Sequence, residues 1–225
     1  MAWYAIAREL RPITFAISRT AEFKEPISLS EPPSSELSDE EKMKKRKQVH
    51  SEPHVYGQKT VTLDIWGVNS YLKEQKIFIK VQYFEISTGK KVFEDQKTVR
   101  LRPNQSTEIS SKVDITKYDP SNLVSSVEFQ LPSGEILRSS ADWPQPVKYI
   151  DFSGCKLTSS VNGEKVWIEA DRPVKGIILD VEGDDDSGLE WSDNGFDVMP
   201  GEVVGVTAKG LKGRKVTVSW YGEKS

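Results

Sequence analysis

The sequence predicts an all-β protein: two consecutive immunoglobulin-like antiparallel β-sandwiches preceded by a short N-terminal helix. Three observations indicate this architecture. Runs in which apolar and polar residues alternate recur from residue 58 onward, and such alternation is typical of half-buried strands. Turn signals such as Ser133-Gly134 and Asn162-Gly163 separate the runs, as in sandwiches built from hairpins. A length of 225 residues is enough for one large or two small domains.

The N-terminal segment predicts a helix over residues 1–11 and then a strand. One helical face carries apolar side chains at the spacing of Trp3, Ile6, Ala7 and Leu10. Pro12 ends the helix, and Ile13, Phe15 and Ile17 then alternate with polar or small residues. The helix begins with an aromatic face and has no N-cap residue. Residues 1–19 are therefore interpreted as the end of a larger domain. An ordinary amphipathic starting helix is the alternative.

Residues 20–57 predict a flexible linker or loop, because they are rich in Pro, Ser and charge and offer few apolar side chains for a core. A short helix over 38–48 would place acidic residues in its first turn and basic residues in its last. The basic run Lys42–Lys47 adjoins acidic residues and is interpreted as part of this solvated helix rather than as a nucleic-acid patch.

The first sandwich is predicted over residues 58–146. Its clearest strands have alternating apolar residues at 61–65 and 77–83. Further strands are predicted at 92–101, 106–115, 123–131 and 135–141. Trp143-Pro144-Gln145-Pro146 is interpreted as the hinge to the next domain.

The second sandwich is predicted over residues 147–225. Its strands are expected near 148–152, 155–161, 165–170, 174–182, 196–199, 202–208 and 215–220. Asn194-Gly195 supplies a turn that tolerates positive φ. Phe196 is therefore expected in the core, whereas Asp197 faces outward or caps a turn.

Composition and charge argue against several functional classes. A net charge of −3 implies no nucleic-acid partner, and no apolar run is long enough for a membrane span. The first residues lack the features of a signal peptide, which predicts an intracellular protein. The sequon at Asn104 does not decide the compartment, and its glycosylation stays open. Cys155, the only cysteine, is interpreted as a buried spectator thiol rather than a nucleophile.

Two segments carry a family resemblance. They are Ala-Trp-Tyr-Ala-Ile-Ala-Arg-Glu-Leu-Arg-Pro-Ile-Thr at 2–14 and Glu-Trp-Ser-Asp-Asn-Gly-Phe-Asp-Val-Met-Pro-Gly-Glu at 190–202. Both resemble the β-mannosidases of glycoside hydrolase family 2, of the B type. The resemblance implies that the first segment is the last helix of a catalytic barrel and the next strand. It also implies that 58–146 is a mannosidase Ig/CBM-like sandwich and 147–225 the C-terminal Ig-like domain.

The resemblance implies an activity for the full-length family that this chain is expected to lack. Those enzymes hydrolyse terminal, non-reducing β-D-mannose residues with retention and without a cofactor, and the full-length enzyme can be oligomeric. Retaining glycosidases need a pair of glutamates or aspartates about 5–5.5 Å apart, and the family's acid/base follows an asparagine. This chain has no Asn-Glu pair and is too short for a barrel of about 250 residues as well. No catalytic, cofactor-binding or metal-binding residue is therefore predicted.

Two residue groups were considered as binding sites. The acidic residues are Asp180, Glu182, Asp184, Asp185, Asp186 and Glu190; they are interpreted as a solvated turn, because the spacing of a calcium loop is absent. The tryptophans are Trp66, Trp167, Trp191 and Trp220; core or interdomain packing is preferred over a sugar-stacking platform.

Two other classes of function stay open. A stand-alone carbohydrate-binding module predicts several exposed, coplanar tryptophans on one sheet. A non-catalytic interaction protein predicts that Trp3, Tyr4 and the Ile13 strand are covered within the chain.

Overall fold

The computed structural model describes residues 2–23, 58–138, 141–183 and 188–223. Most of the predicted linker, the predicted helix at 38–48 and Asp184, Asp185 and Asp186 lie outside these ranges. Within them, the fold is two antiparallel sandwiches and one N-terminal helix, as the alternation of apolar residues predicts.

The described residues of the first sandwich form seven strands. They are β1 (Ile13–Phe23), β2 (Gln58–Asn69), β3 (Gln75–Glu85), β4 (Lys91–Leu101), β5 (Gln105–Asp114), β6 (Leu123–Gln130) and β7 (Ile136–Arg138). One sheet has the order β1-β2-β5, and the other has the order β4-β3-β6-β7. Phe15 from the first sheet meets Phe129 from the second with ring centroids 4.8 Å apart. The two sheets therefore share one core.

The alternation on β2 and β3 follows the prediction with one exception. Leu63 and Ile79 are fully buried, while Phe78 is 42% exposed on the opposite face, as a period of two requires. At the end of β3 both faces are buried, and Gln82 is only 5% exposed. Phe84, two residues further on the same face, belongs to a separate apolar cluster that includes residues of the second sandwich. The second sandwich therefore covers this end of the strand.

In the second sandwich, too, seven strands lie within the described ranges. They are β8 (Leu157–Asn162), β9 (Lys165–Ala170), β10 (Val174–Val181), β11 (Glu190–Trp191), β12 (Phe196–Val198), β13 (Val204–Lys209) and β14 (Val216–Ser219). The sheets have the orders β12-β10-β14 and β11-β13-β9-β8. Their inward residues, among them Ile168, Ile177 and Val206, form a second core.

Several predicted elements differ from those in the described part of the chain. Strand β1 continues to Phe23, four residues into the predicted linker. The strand predicted at 148–152 is wrong: Val147–Tyr149 is a 3-10 turn, in which Ile150 N–H donates to the Val147 carbonyl at 3.0 Å. This local hydrogen bond satisfies groups that a strand would have paired with a neighbour. Strand β7 is shorter than the predicted 135–141.

Helix α1 (Ala2–Glu9) is shorter than the predicted 1–11, and none of its residues is buried. Trp3 is 71% exposed and Ile6 is 51% exposed, whereas Ile13 on the next strand is 3% exposed. The strand is thus covered within the chain and the aromatic helical face is not. None of the helices among the described residues has the length and apolar character needed to cross a membrane.

Candidate functional site: the interdomain cleft

The residues between Asp193 and Glu202 lie where the two sandwiches and helix α1 meet. Phe196 is 6% exposed and lies in the second core, as predicted. Asp197 points to the other face of β12, where its carboxylate accepts a 2.9 Å hydrogen bond from Gly176 N–H. The same carboxylate accepts a 2.7 Å bond from the indole Nε1 of Trp143, in the first sandwich. The segment therefore joins the two domains.

Asn194 holds the turn from inside the protein. Its side chain is buried, accepts a hydrogen bond from Leu179 N–H at 2.9 Å and donates to the Leu179 carbonyl at 2.8 Å. These two bonds satisfy the backbone N–H and carbonyl of Leu179 on β10, opposite the residues that precede β12. Gly195 follows with φ of 65°, a conformation that glycine adopts without a steric penalty.

Arg8 attaches helix α1 to this turn. Its guanidinium forms an ion pair with Asp193 and donates to the carbonyls of Asn194 at 3.1 Å and Gly195 at 2.8 Å. Charge-assisted bonds to three acceptors hold the helix in one orientation. The sequence indicated the helix and the turn but gave no signal of this contact, because the partners lie 185 positions apart.

Arg138 and Glu202 make a second ionic link between the domains. Arg138 Nε donates to Glu202 at 2.9 Å, and its Nη2 donates to Glu128 at 3.3 Å. Burial raises the pKa of Glu202 above its usual range, and the charge of Arg138 opposes that shift. Glu202 is also within 3.4 Å of Met199 N–H, which places the carboxylate at the base of the Pro-Gly turn.

Trp143 is the centre of the apolar contact between the sandwiches. It is 3% exposed and lies 5.7 Å from Phe152, centroid to centroid. The cluster also contains Phe84, Ile86, Val124 and Met199. The Trp143–Pro146 segment, interpreted from sequence as a hinge, thus begins with a residue packed in a shared core.

A cleft of about 730 Å³ opens beside these contacts. Helix α1 and the residues around β7 form its sides, and β9, β12 and β13 line the rest. Its basic lining residues are Arg8, Arg11, Arg138, Lys165 and Lys175. Its acidic lining residues are Glu128, Glu135, Asp193 and Asp197. Burial lowers the pKa of Arg11, an effect that the nearby charge of Asp193 opposes.

The four tryptophans do not form a common platform. Trp66 lies on β2 in the first sandwich, where it pairs with Ala16. Trp191 and Trp220 pack partly buried against the second core, as the preferred interpretation expected. Trp167 alone of the four lines the cleft, and it is 38% exposed. The strip of coplanar tryptophans expected of a stand-alone carbohydrate-binding module is therefore not formed by these side chains.

Two of the three described residues of the predicted acidic cluster form surface ion pairs, and the third, Asp180, accepts a hydrogen bond from Val181 N–H at 2.8 Å. Glu182 pairs with Lys215, and Glu190 pairs with Lys209 at 3.1 Å. The described residues include no group of three or more His, Cys, Asp or Glu side chains suited to a metal ion.

Cys155 has the environment of an unreactive thiol. It is partly buried at the edge of the second core, and burial raises its pKa to about 11, with a further contribution from Asp171. A thiol with so high a pKa is almost entirely protonated near neutral pH. This supports the interpretation of Cys155 as a spectator.

Comparison with known proteins gives two domain matches and a set of relatives. Residues 61–149 match the Mannosidase Ig/CBM-like domain, and residues 154–219 match an Ig-fold domain. The β-mannosidase B of Aspergillus flavus is 28% identical over 220 residues, which cover 94% of this chain and 22% of that protein. The β-mannosidase B of Aspergillus niger is 26% identical over 221 residues, with the same coverage.

A solved structure shows the same fold. The β-D-mannosidase of Dictyoglomus thermophilum superposes with a TM-score of 0.64 and 15% identity over 99% of this chain and 23% of that one. The chain spans about a fifth of the length of the curated relatives that it matches.

Proposed function

We propose that this chain is the non-catalytic sandwich portion of an enzyme of the β-mannosidase B kind, because its sandwiches match a Mannosidase Ig/CBM-like domain and an Ig-fold domain and it is 28% identical to the β-mannosidase B of Aspergillus flavus. In this proposal, residues 1–23 are the end of the catalytic barrel and the first sandwich strand, which ends at Phe23, and the residues from there to 57 are a linker. Residues 58–146 and 147–225 are the two sandwiches, which support the barrel. The substrates proposed for the whole protein are β-D-mannosides.

Helix α1 carries this proposal. Arg8 binds it to the Asp193–Gly195 turn, yet Trp3 is 71% exposed and Leu10 is 75% exposed. A helix that is held in place while its large apolar side chains stay in water is suited to pack against a further domain. The sandwiches would then fix the position of a barrel helix from outside the barrel.

The carboxylates of the cleft support a structural role. Glu128 binds Lys80 at 2.7 Å and Arg138 at 3.3 Å. Asp193 is paired with Arg8, and Asp197 is bound by Trp143. A glycosidase pair must instead face the sugar, with one carboxylate free to act as nucleophile. The carboxylates of Glu128, Asp193 and Asp197 instead hold elements of this protein together.

An activity assay tests the non-catalytic part of the proposal. The purified chain is incubated with 4-nitrophenyl β-D-mannoside, and release of nitrophenol is compared with that from a mock purification of the same host. We expect no turnover above the mock. Hydrolysis that copurifies with the chain through a second chromatographic step contradicts the proposal.

A stability measurement tests the supporting helix. The double variant Trp3→Ser/Ile6→Ser removes two exposed apolar side chains, so its urea midpoint is expected to equal that of the parent. Phe15→Ala, at a position only 1% exposed, is the control that must lower the midpoint. A clear loss of stability in the double variant means that this face is covered within the chain, and the supporting role then fails.

A further inference from the structure

We propose that the interdomain cleft binds a neutral pyranose saccharide, which stacks on the indole of Trp167. The proposal does not depend on the supporting role of helix α1. It arises from the position of one tryptophan, from the strand beneath it and from the charges around it.

The indole of Trp167 lies over the neighbouring strand. Gly205 on β13 is its direct partner in the sheet. A Cβ on Gly205 would lie 2.3 Å from Cζ3, 2.7 Å from Cε3 and 3.0 Å from Cη2 of Trp167. Three adjacent ring carbons at similar distances indicate that the face of the ring, rather than its edge, covers the glycine. The absence of a side chain at Gly205 therefore leaves the space that the indole occupies.

The face of the indole turned away from Gly205 is the one that can meet a ligand in the cleft. Trp167 is 38% exposed and lines the cleft. The ammonium group of Lys165 lies over the ring, 5.9 Å from its centroid and at the outer limit of a cation–π contact, so a stacked sugar has to displace it. Two more exposed apolar side chains, Val203 and Ile136, line the same cleft. The C–H groups of a sugar ring bind an aromatic face of this kind, because the face is apolar and electron-rich.

The charges of the cleft favour a neutral, polyhydroxylated ligand. Five basic and four acidic side chains line it. A charged ligand of either sign would therefore be attracted by some of these side chains and repelled by others. Arg8, Arg138 and Lys175 are each within ion-pair distance of an acidic residue. Sugar hydroxyls both donate and accept hydrogen bonds, and mixed side chains supply partners of both kinds. The volume of about 730 Å³ is within the range of about 300–1,000 Å³ typical of small-molecule sites.

The test is a titration of the nitrogen-15-labelled full chain, followed by NMR at the indole Nε1–H signals. The probes are β-1,4-mannotetraose and cellotetraose, with a tetragalacturonate as the charged counterpart. We expect one of the neutral sugars to shift the Trp167 signal in a saturable way below about 10 mM. Trp167→Phe identifies that signal by its disappearance.

Two variants and one control complete the test by calorimetry. Trp167→Ala is expected to weaken the binding of the neutral sugar at least about tenfold. Gly205→Val is expected to do the same, because its side chain would occupy the space of the indole. Trp3→Ala removes a more exposed tryptophan that does not line the cleft, and it should bind like the parent.

Several results would overturn the proposal. One is that neither neutral sugar shifts the Trp167 signal up to about 10 mM. Another is that Trp167→Ala binds as tightly as the parent, or that only the charged sugar binds. A Trp167 signal that broadens with protein concentration and ignores sugars would instead assign the cleft to a protein partner. Because the shift of the Trp167 signal is measured in the parent protein, this part of the test does not depend on whether a variant folds.

Discussion

The indole Nε1 of Trp143 donates a 2.7 Å hydrogen bond to the carboxylate of Asp197, and this bond crosses from the first sandwich to the second. Lys175 adds to the contact, since its Nζ lies 5.4 Å from the Trp143 ring centroid and 3.8 Å from Asp197. Trp143 is also the middle of the apolar cluster shared by the two domains. Polar and apolar contacts between the domains thus meet at one side chain.

Trp143→Phe should therefore weaken the connection between the sandwiches. The variant loses the hydrogen bond to a charged group and part of the buried ring, and we expect a loss of roughly 2–3 kcal/mol in the free energy of unfolding. Urea unfolding, followed by circular dichroism, measures it. Trp66→Phe, at a half-buried site on the first sandwich, is the matched control and should lose less. Equal losses in the two variants would show that the interdomain bond adds no stability.

Phe196→Ala tests the core assignment of the segment between the two turns. Phe196 is 6% exposed, and removal of a buried phenyl ring typically costs about 3–5 kcal/mol. Gly195→Val should also destabilise, because Gly195 has φ of 65°, which β-branched residues avoid. Thermal unfolding of both variants gives the comparison. A Phe196→Ala protein that melts with the parent would place this ring on the surface.

Arg8→Ala should release helix α1 from the second sandwich. The guanidinium binds one carboxylate and two carbonyls, and charge-assisted bonds contribute about 1.5–3 kcal/mol. We expect faster amide exchange of residues 2–9, measured by mass spectrometry, with little change in the sandwich cores. Arg100→Ala is the control, because Arg100 is 75% exposed and 4.0 Å from its partner. Unchanged exchange in Arg8→Ala would mean that other contacts hold the helix.

The pH dependence of stability should report Glu202. Burial raises the folded-state pKa of Glu202 above its ordinary value of 4.5, so the folded protein keeps this proton to a higher pH than the unfolded chain does. The stabilisation from this group is complete below pH 4.5 and is lost as pH rises through the folded pKa. In the Glu202→Gln variant, no ionisable group remains at this position.

The comparison of parent and Glu202→Gln isolates this effect from the other acids. The pKa of Asp142 is raised too, by burial, but that group is present in both proteins. The unfolding free energy of the parent minus that of the variant should fall as pH rises from about 4 to about 8. Urea titrations at several pH values measure it. A difference that is constant or rises over this range contradicts the assignment.

Cys155 should react slowly with iodoacetamide in the folded protein. With a pKa of about 11, the thiolate fraction at pH 8 is roughly a hundredfold smaller than for the ordinary value of 9.0. Mass spectrometry of the alkylated chain, with and without urea, gives the two rates. A folded protein that reacts as fast as the unfolded one would show that the thiol is exposed and activated.

Local patterns predicted much of the fold. Strands such as β2 and β9 follow the alternation closely, because a period of two reports which face each residue buries. The pattern was misleading at 148–152, where Val147–Tyr149 forms a 3-10 turn and Ile150 and Phe152 pack in the cluster of Trp143. The links Arg8–Asp193 and Arg138–Glu202 were not predicted, since no short-range pattern encodes partners 185 and 64 positions apart.

The distance in sequence between Arg8 and Asp193 also sets an order of events during synthesis. Ribosomes add about 5–20 residues per second, so the 185 positions between the two partners take roughly 10–40 s to translate. Throughout that time Arg8 lacks the Asp193–Gly195 turn that will hold its helix. The first sandwich can close before Asp193 exists, but the helix cannot dock. Docking of helix α1 on the second sandwich is therefore a late step, which must wait until residue 195 has been synthesised.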